Sequence, residues 1–201
     1  MQTDPAEPLH RQFRELADLP DSEWLQFRHF VHERRFERGE YLIREGGDGG
    51  TLHYILSGLV RFYYNGDGLE KVRGFDYEGR FSGSYESVLT GAPASYSIQA
   101  LEPVRTLSFR GDVFRTLFDR HPAWDRIGRR ILEAHWIRRG DKETRFRTLS
   151  PEEHYLLLIE RDPPFLARVP LHQVASYLGI APETLSRIRA RNRAAGIRSA
   201  S

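Results

Sequence analysis

Between Phe36 and Phe109 the chain is written in short alternating runs broken by glycine-rich turns, and this pattern leaves few architectures open. Apolar and polar residues alternate in Tyr41-Leu42-Ile43-Arg44, Leu52-His53-Tyr54-Ile55-Leu56 and Val60-Arg61-Phe62-Tyr63-Tyr64. They do so again in Tyr96-Ser97-Ile98-Gln99-Ala100 and Val104-Arg105-Thr106-Leu107-Ser108-Phe109. A period of two places every second side chain on one face of a sheet. Turn signals separate the runs at Arg38-Gly39-Glu40, Gly46-Gly47-Asp48-Gly49-Gly50, Ser57-Gly58 and Asn65-Gly66-Asp67-Gly68, the last being the best hairpin signal. Many short strands at regular spacing predict an antiparallel sandwich or barrel.

Helical periodicity flanks this region, so the fold class is α+β. Pro8 to Leu19 and Asp21 to Val31 read as short helices, the second capped by Asp21 or Ser22. Val113, Phe114, Leu117 and Phe118 predict another, ending near His121-Pro122. Ala123 to about Phe146 is a long helix. Its narrow stripe of Trp124, Ile127, Ile131 and Ala134 predicts a seam between two subunits, with packing on the chain's own sheet as the alternative. Ser150-Pro151-Glu152-Glu153 opens a further helix with a capping box, and Asp162-Pro163-Pro164 breaks the chain. Three segments result: a β-rich domain at 1–121, a dimerisation helix at 122–147 and a helical domain at 148–201.

The last segment carries the most chemistry. A helix at Leu171–Leu178 buries Leu171, Val174, Ala175 and Leu178. Gly179 suits a left-handed turn, Ile180 is an apolar plug, and Pro182 opens a second helix whose buried side is Leu185 and Ile188. A small residue four positions before a glycine turn, between two short helices, is the helix-turn-helix pattern. Glu183, Thr184, Ser186, Arg187, Arg189 and Arg191 are the predicted DNA contacts. Arginine reads guanine, glutamate accepts from cytosine, and hydroxyls serve base or phosphate.

Net charge, at +2, says little, but its distribution says more. From Pro163 to Ser201 there are six arginines against the single acid Glu183, an electrostatic footprint for nucleic acid. The absence of cysteine excludes disulfides, thiolate zinc sites and cysteine-ligated iron–sulfur clusters. No metal spacing, phosphate loop or nucleophile–base pair stands out, so neither a metal, a cofactor nor an enzyme is expected. No apolar run approaches the roughly 20 residues of a membrane span, and no signal peptide opens the chain, so a cytoplasmic protein without membrane contact is expected.

The whole chain resembles the cyclic-AMP receptor / fumarate-nitrate regulator (Crp/Fnr) superfamily of bacterial transcription factors. Phe36-Glu37-Arg38-Gly39-Glu40-Tyr41-Leu42-Ile43-Arg44-Glu45-Gly46 is similar to the family's opening strands, and Leu52-His53-Tyr54-Ile55-Leu56-Ser57-Gly58 to the next strand and turn. Val174 to Ile180 followed by Pro182 to Ile188 resembles its DNA-reading segment closely. The resemblance implies an N-terminal β-roll, a long dimerisation helix and a C-terminal helix-turn-helix with a wing. It implies a homodimer on double-stranded DNA, working with RNA polymerase. The family's base-reading glutamate matches Glu183, and its arginine matches Arg187. The arginine usual before that glutamate is Pro182 here, so base preference is expected to differ.

The sequence departs from the family at the ligand site. Members that bind cyclic nucleotides hold the ribose with a glutamate after glycine, and the phosphate with an arginine before serine or threonine. Here Ser84 follows Gly83, and Ala94 precedes Ser95. Hydrogen bonds to charged groups contribute roughly 1.5–3 kcal/mol each, so little or no cyclic-AMP binding is expected. Arg61, Arg73 and Glu86 are left as residues for another geometry or an unknown small-molecule effector. The wing is expected to be truncated, since the chain stops soon after Gly196-Ile197, with Arg189, Arg193 and Arg198 as substitute phosphate contacts. The competing function is a small-molecule sensor acting on protein partners, with weak or no DNA binding.

Overall fold

The structure is a computed structural model that describes residues 4–66, 68–161 and 163–194. It divides into two compact units. The first takes the chain up to Phe62 and from Phe75 to Ile137, and the second takes Tyr63–Gly74 and the chain from Arg138 on.

The strands are β1 (His32–Phe36), β2 (Tyr41–Ile43), β3 (Thr51–Ser57), β4 (Val60–Gly66), β5 (Leu69–Asp76), β6 (Phe81–Ser82), β7 (Ser97–Ala100) and β8 (Val104–Arg110). They form two four-stranded sheets, ordered β1-β8-β3-β6 and β2-β7-β4-β5. The pairings of β8 with β1 and β3 are antiparallel, as are those of β2 with β7 and β3 with β6. The alternating runs are thus strands, as their period predicts. Strands β1, β5 and β6 have no such signal: β1 is a charged edge strand, and β6 spans two residues. The turn at Asn65-Gly66-Asp67-Gly68 includes Asp67, which lies outside the described residues.

The first unit has two apolar clusters. Inside the roll, Ile43, Ile55, Val60, Ile98 and Val104 pack together. Outside it, Leu52, Tyr54, Leu107 and Phe109 from β3 and β8 meet α1 (Glu7–Leu16), α2 (Asp21–Arg28), α4 (Gly111–Thr116) and the start of α5 (Pro122–Thr148). Both faces of β3 are therefore buried. Phe13 lies at the centre of the outer cluster, with ring centroids 5.7 Å from Phe27, 5.8 Å from Trp124 and 6.0 Å from Phe114. Such pairs contribute about 0.5–1.5 kcal/mol each beyond burial of area. Helix α2 begins at Asp21 with Pro20 at the cap and no side-chain capping bond, so neither Asp21 nor Ser22 caps it.

The expected subunit seam on α5 is corrected by this packing. Trp124 and Ile127 are fully buried in the chain's own aromatic cluster, and Ile131 is 9% exposed there. Trp124 also donates its indole N–H to Glu23 Oε2 at 2.9 Å. The exposed apolar residues of α5 include Leu132, Trp136 and Ile137, with Ala134 beside them; Trp136 is 73% exposed.

In the second unit, α6 (Pro151–Arg161) starts with the predicted capping box. Ser150 Oγ accepts from the Glu153 amide at 3.3 Å, and Glu153 Oε2 accepts from the Ser150 amide at 2.8 Å. Then come α7 (Pro163–Arg168), α8 (Leu171–Leu178) and α9 (Pro182–Ala194). Helix α7 follows the Asp162-Pro163-Pro164 break, which reads as a stop in sequence but opens a helix, as proline permits in a first turn. Among the described residues, no helix is long and apolar enough to cross a membrane.

Candidate nucleic-acid interface

Helices α8 and α9 pack through the positions their periodicity selects. Ala175 is completely buried, and so is Leu185, with Ile188 and Asn192 on the same side of α9. Gly179 takes φ +70, and the Ile180 amide closes the turn onto the Ala175 carbonyl at 3.1 Å. A left-handed residue there reverses the chain at no Cβ cost.

Fixing that buried side fixes the outward one. Glu183, Ser186, Arg187 and Arg191 are exposed, and Thr184 is half-buried. Arg187 Nη2 donates to Thr184 Oγ1 at 3.2 Å, one turn earlier. Arg189 is half-buried on the flank of the inward face, where its guanidinium reaches the Tyr155 hydroxyl. Arg191 Nη2 meets Glu152 Oε2 at 2.7 Å, bridging α9 to the first turn of α6. Together with Ser150, Pro151, Ile180, Thr184, Arg187 and Ile188, this pair lines a cleft of about 310 Å³. Nothing in the sequence signals that cleft, because its two walls lie some 39 positions apart. Gly196, Ile197 and Arg198, where the truncated wing was expected, lie outside the described residues.

Behind α8 lies a partly buried polar-aromatic cluster. Lys142 donates its ammonium to the Arg73 carbonyl and sits over the rings of Phe146 and Tyr177, at 5.4 Å and 5.2 Å. Burial pulls its pKa down to about 8. His154 lies edge-on to the same two rings, and burial pulls its pKa down to about 4. Ser176 Oγ donates to the Glu70 carbonyl and accepts from the Val72 amide, both at 3.1 Å.

Several of the residues expected around a ligand are buried and engaged within the first unit. Ser84 is fully buried; its Oγ caps α3 (Tyr85–Thr90) through the Ser87 amide at 3.3 Å and meets Ser87 Oγ at 2.8 Å. Gly83 is buried as well, and its carbonyl accepts from the Tyr96 hydroxyl at 2.9 Å. Arg61, 5% exposed, holds Gln99 Oε1 through Nε at 2.9 Å and Nη2 at 2.6 Å. Ala94 is buried in the roll interior with Tyr96 and Phe62. Glu86 and Ser95 are exposed and face each other at 3.4 Å. Arg73 belongs to the second unit, its guanidinium 5.8 Å from the Tyr64 ring centroid. Among the described residues, no group of three or more His, Cys, Asp or Glu is placed to hold a metal ion.

Residues 33–121 match the model of the cyclic nucleotide-binding domain. No curated protein sequence matches the chain. Among solved structures, it is similar to the c-di-GMP responsive global regulator CLP of Xanthomonas campestris, with 19% identity over 90% of this chain and 97% of that one, and a TM-score of 0.69. It is similar to FixK2 of Bradyrhizobium japonicum, with 17% identity over 83% and 86% of the two chains and a TM-score of 0.69. It is also similar to a CRP-family transcriptional regulator of Thermus thermophilus, with 23% identity over 81% and 85% and a TM-score of 0.62.

Proposed function

We propose that this chain, whose residues 33–121 match the model of the cyclic nucleotide-binding domain, is a DNA-binding transcription regulator of Crp/Fnr type that acts as a homodimer without control by cyclic AMP. One observation carries the reading. Helix α9 is fixed by Leu185 and Ile188 so that Glu183, Ser186, Arg187 and Arg191 stand outward together. That set offers a carboxylate for cytosine, a fork for guanine and charge for phosphates. Two such helices, related by a two-fold axis, fit successive major grooves of a near-palindromic site. The exposed Leu132, Trp136 and Ile137 supply an apolar surface on the long helix for the partner subunit.

Independence from cyclic AMP follows from chemistry at the roll. Ser84 offers no carboxylate and spends its hydroxyl on a helix cap, and Ala94 offers no cation. The test is duplex binding against a randomised library, followed by anisotropy on the selected site. Arg187→Ala is expected to weaken binding by about ten-fold or more, and affinity to fall steeply with salt. Binding indifferent to that substitution would refute the assignment. Calorimetry with cyclic AMP is expected to show no heat up to about millimolar ligand, the range where binding free energies fall to about 4 kcal/mol.

A further inference from the structure

We infer that Glu152 occupies the place of a DNA phosphate and tunes affinity by competing for Arg191, an inference that rests on the DNA-binding reading above. The cleft is bounded by Ser150, Pro151 and Glu152 on one wall and Thr184, Arg187 and Arg191 on the other. Across it the Glu152 carboxylate is held by Arg191 at 2.7 Å. A guanidinium fork binds carboxylate and phosphate with the same geometry, so the two anions are alternatives for one set of donors.

The exchange is easy in one direction. Arg191 is 64% exposed at its side chain and Glu152 35%, so water already screens the pair. Parting an exposed pair shifts an equilibrium by no more than about five-fold. A duplex phosphate brings further contacts to Arg187 in the same cleft, which the carboxylate does not match. Once displaced, the carboxylate must regain its own counterion. Glu152 therefore lowers both the affinity and the number of cations released on binding, and it acts through Arg191.

The experiment is anisotropy with a fluorescein-labelled random-sequence duplex, run over a salt series, on the full chain and on Glu152→Gln, Arg191→Ala and the double variant. Glu160→Gln, at the exposed far end of the same helix, is the charge-matched control. Glu152→Gln is expected to tighten binding by about 3–5-fold and to steepen the salt slope by about 0.9, the value for one more neutralised phosphate. The gain is expected to vanish in the Arg191→Ala background and to stay below about two-fold in Glu160→Gln. Circular dichroism of each variant confirms that α6 keeps its helix. Unchanged or weaker binding by Glu152→Gln overturns the inference, as does a gain that survives loss of Arg191. Failure of every variant to bind DNA at low salt overturns the nucleic-acid reading itself, and the inference with it.

Discussion

Ser176 and Val72 are 104 positions apart, yet the hydroxyl of one accepts the amide of the other at 3.1 Å. The same hydroxyl donates to the Glu70 carbonyl at 3.1 Å. Strand β5 stands at the end of its sheet order, so the backbone groups on its outer side find no strand partner. One serine on the first helix of the helix-turn-helix satisfies two of them.

Ser176→Ala removes both bonds and leaves a donor and an acceptor to find water. The exposed Glu70 carbonyl regains water readily, so the cost falls on the part-buried Val72 amide. Hydrogen exchange is expected to quicken at the Val72 amide by about ten-fold or more, with the amides of α9 little changed. Unchanged protection at Val72 would mean that the edge is held by other groups.

Acid is expected to loosen the fold well before the carboxylates titrate. His53 is fully buried with its pKa near 3, and its Nδ1 meets Ser108 Oγ at 2.8 Å. Its unfolded value is near 6.5, so the folded state binds fewer protons between the two. Stability is then fully present above about pH 6.5, falls as pH drops, and is lost as pH nears 3. His154 adds to this loss between about 6.5 and 4. From pH 7 to pH 5 the His53 contribution is about 2 kcal/mol. Urea denaturation of His53→Gln is expected to lose that much less stability over the same interval. An identical pH slope in both proteins would show that His53 takes up a proton in the folded protein as readily as in the unfolded chain.

The alternating runs made the roll legible, but not which of its faces is wet. In Val104–Phe109, the alternation puts the polar Thr106 and Ser108 together on one face. The structure turns them inward, where Ser108 joins Thr106 at 2.8 Å and also holds His53. Helices cover the other face, so Leu107 and Phe109 meet the aromatic cluster. Period two shows that a strand has two faces, not which one is wet. The helix-turn-helix was legible almost to the residue, because a left-handed glycine between two apolar stripes has few other uses. The Arg191–Glu152 cleft and the Lys142 cluster were not, since contacts across long separations leave no local pattern.

Gly83 is required by close packing. A Cβ built there would lie 2.8 Å from Leu52 Cδ2 and 3.1 Å from the Thr51 carbonyl oxygen. The carbonyl is backbone in a central strand and cannot move away. Gly83→Ala is expected to destabilise by about 1–3 kcal/mol, read as a lower urea midpoint at unchanged m-value. A neutral outcome would mean that β6 shifts freely against β3.

Trp124 and Trp136 lie on one helix but answer to different partners. Trp124 is fully buried and packs on Phe13, Phe27 and Phe114 of its own chain. Trp136, 73% exposed, stands beside Leu132 and Ile137 with no such cover. Truncating a buried tryptophan costs about 3–5 kcal/mol, so Trp124→Ala is expected to lower thermal stability sharply at any protein concentration. Trp136→Glu removes no internal packing and places a charge in the proposed subunit seam. It is expected to yield a monomer by sedimentation, with circular dichroism unchanged and DNA affinity lowered by about a hundred-fold through loss of two-site binding. A Trp136→Glu protein that still sediments as a dimer would move the interface off this face of the helix. A wild-type protein that is monomeric at micromolar concentration would remove the two-fold arrangement altogether.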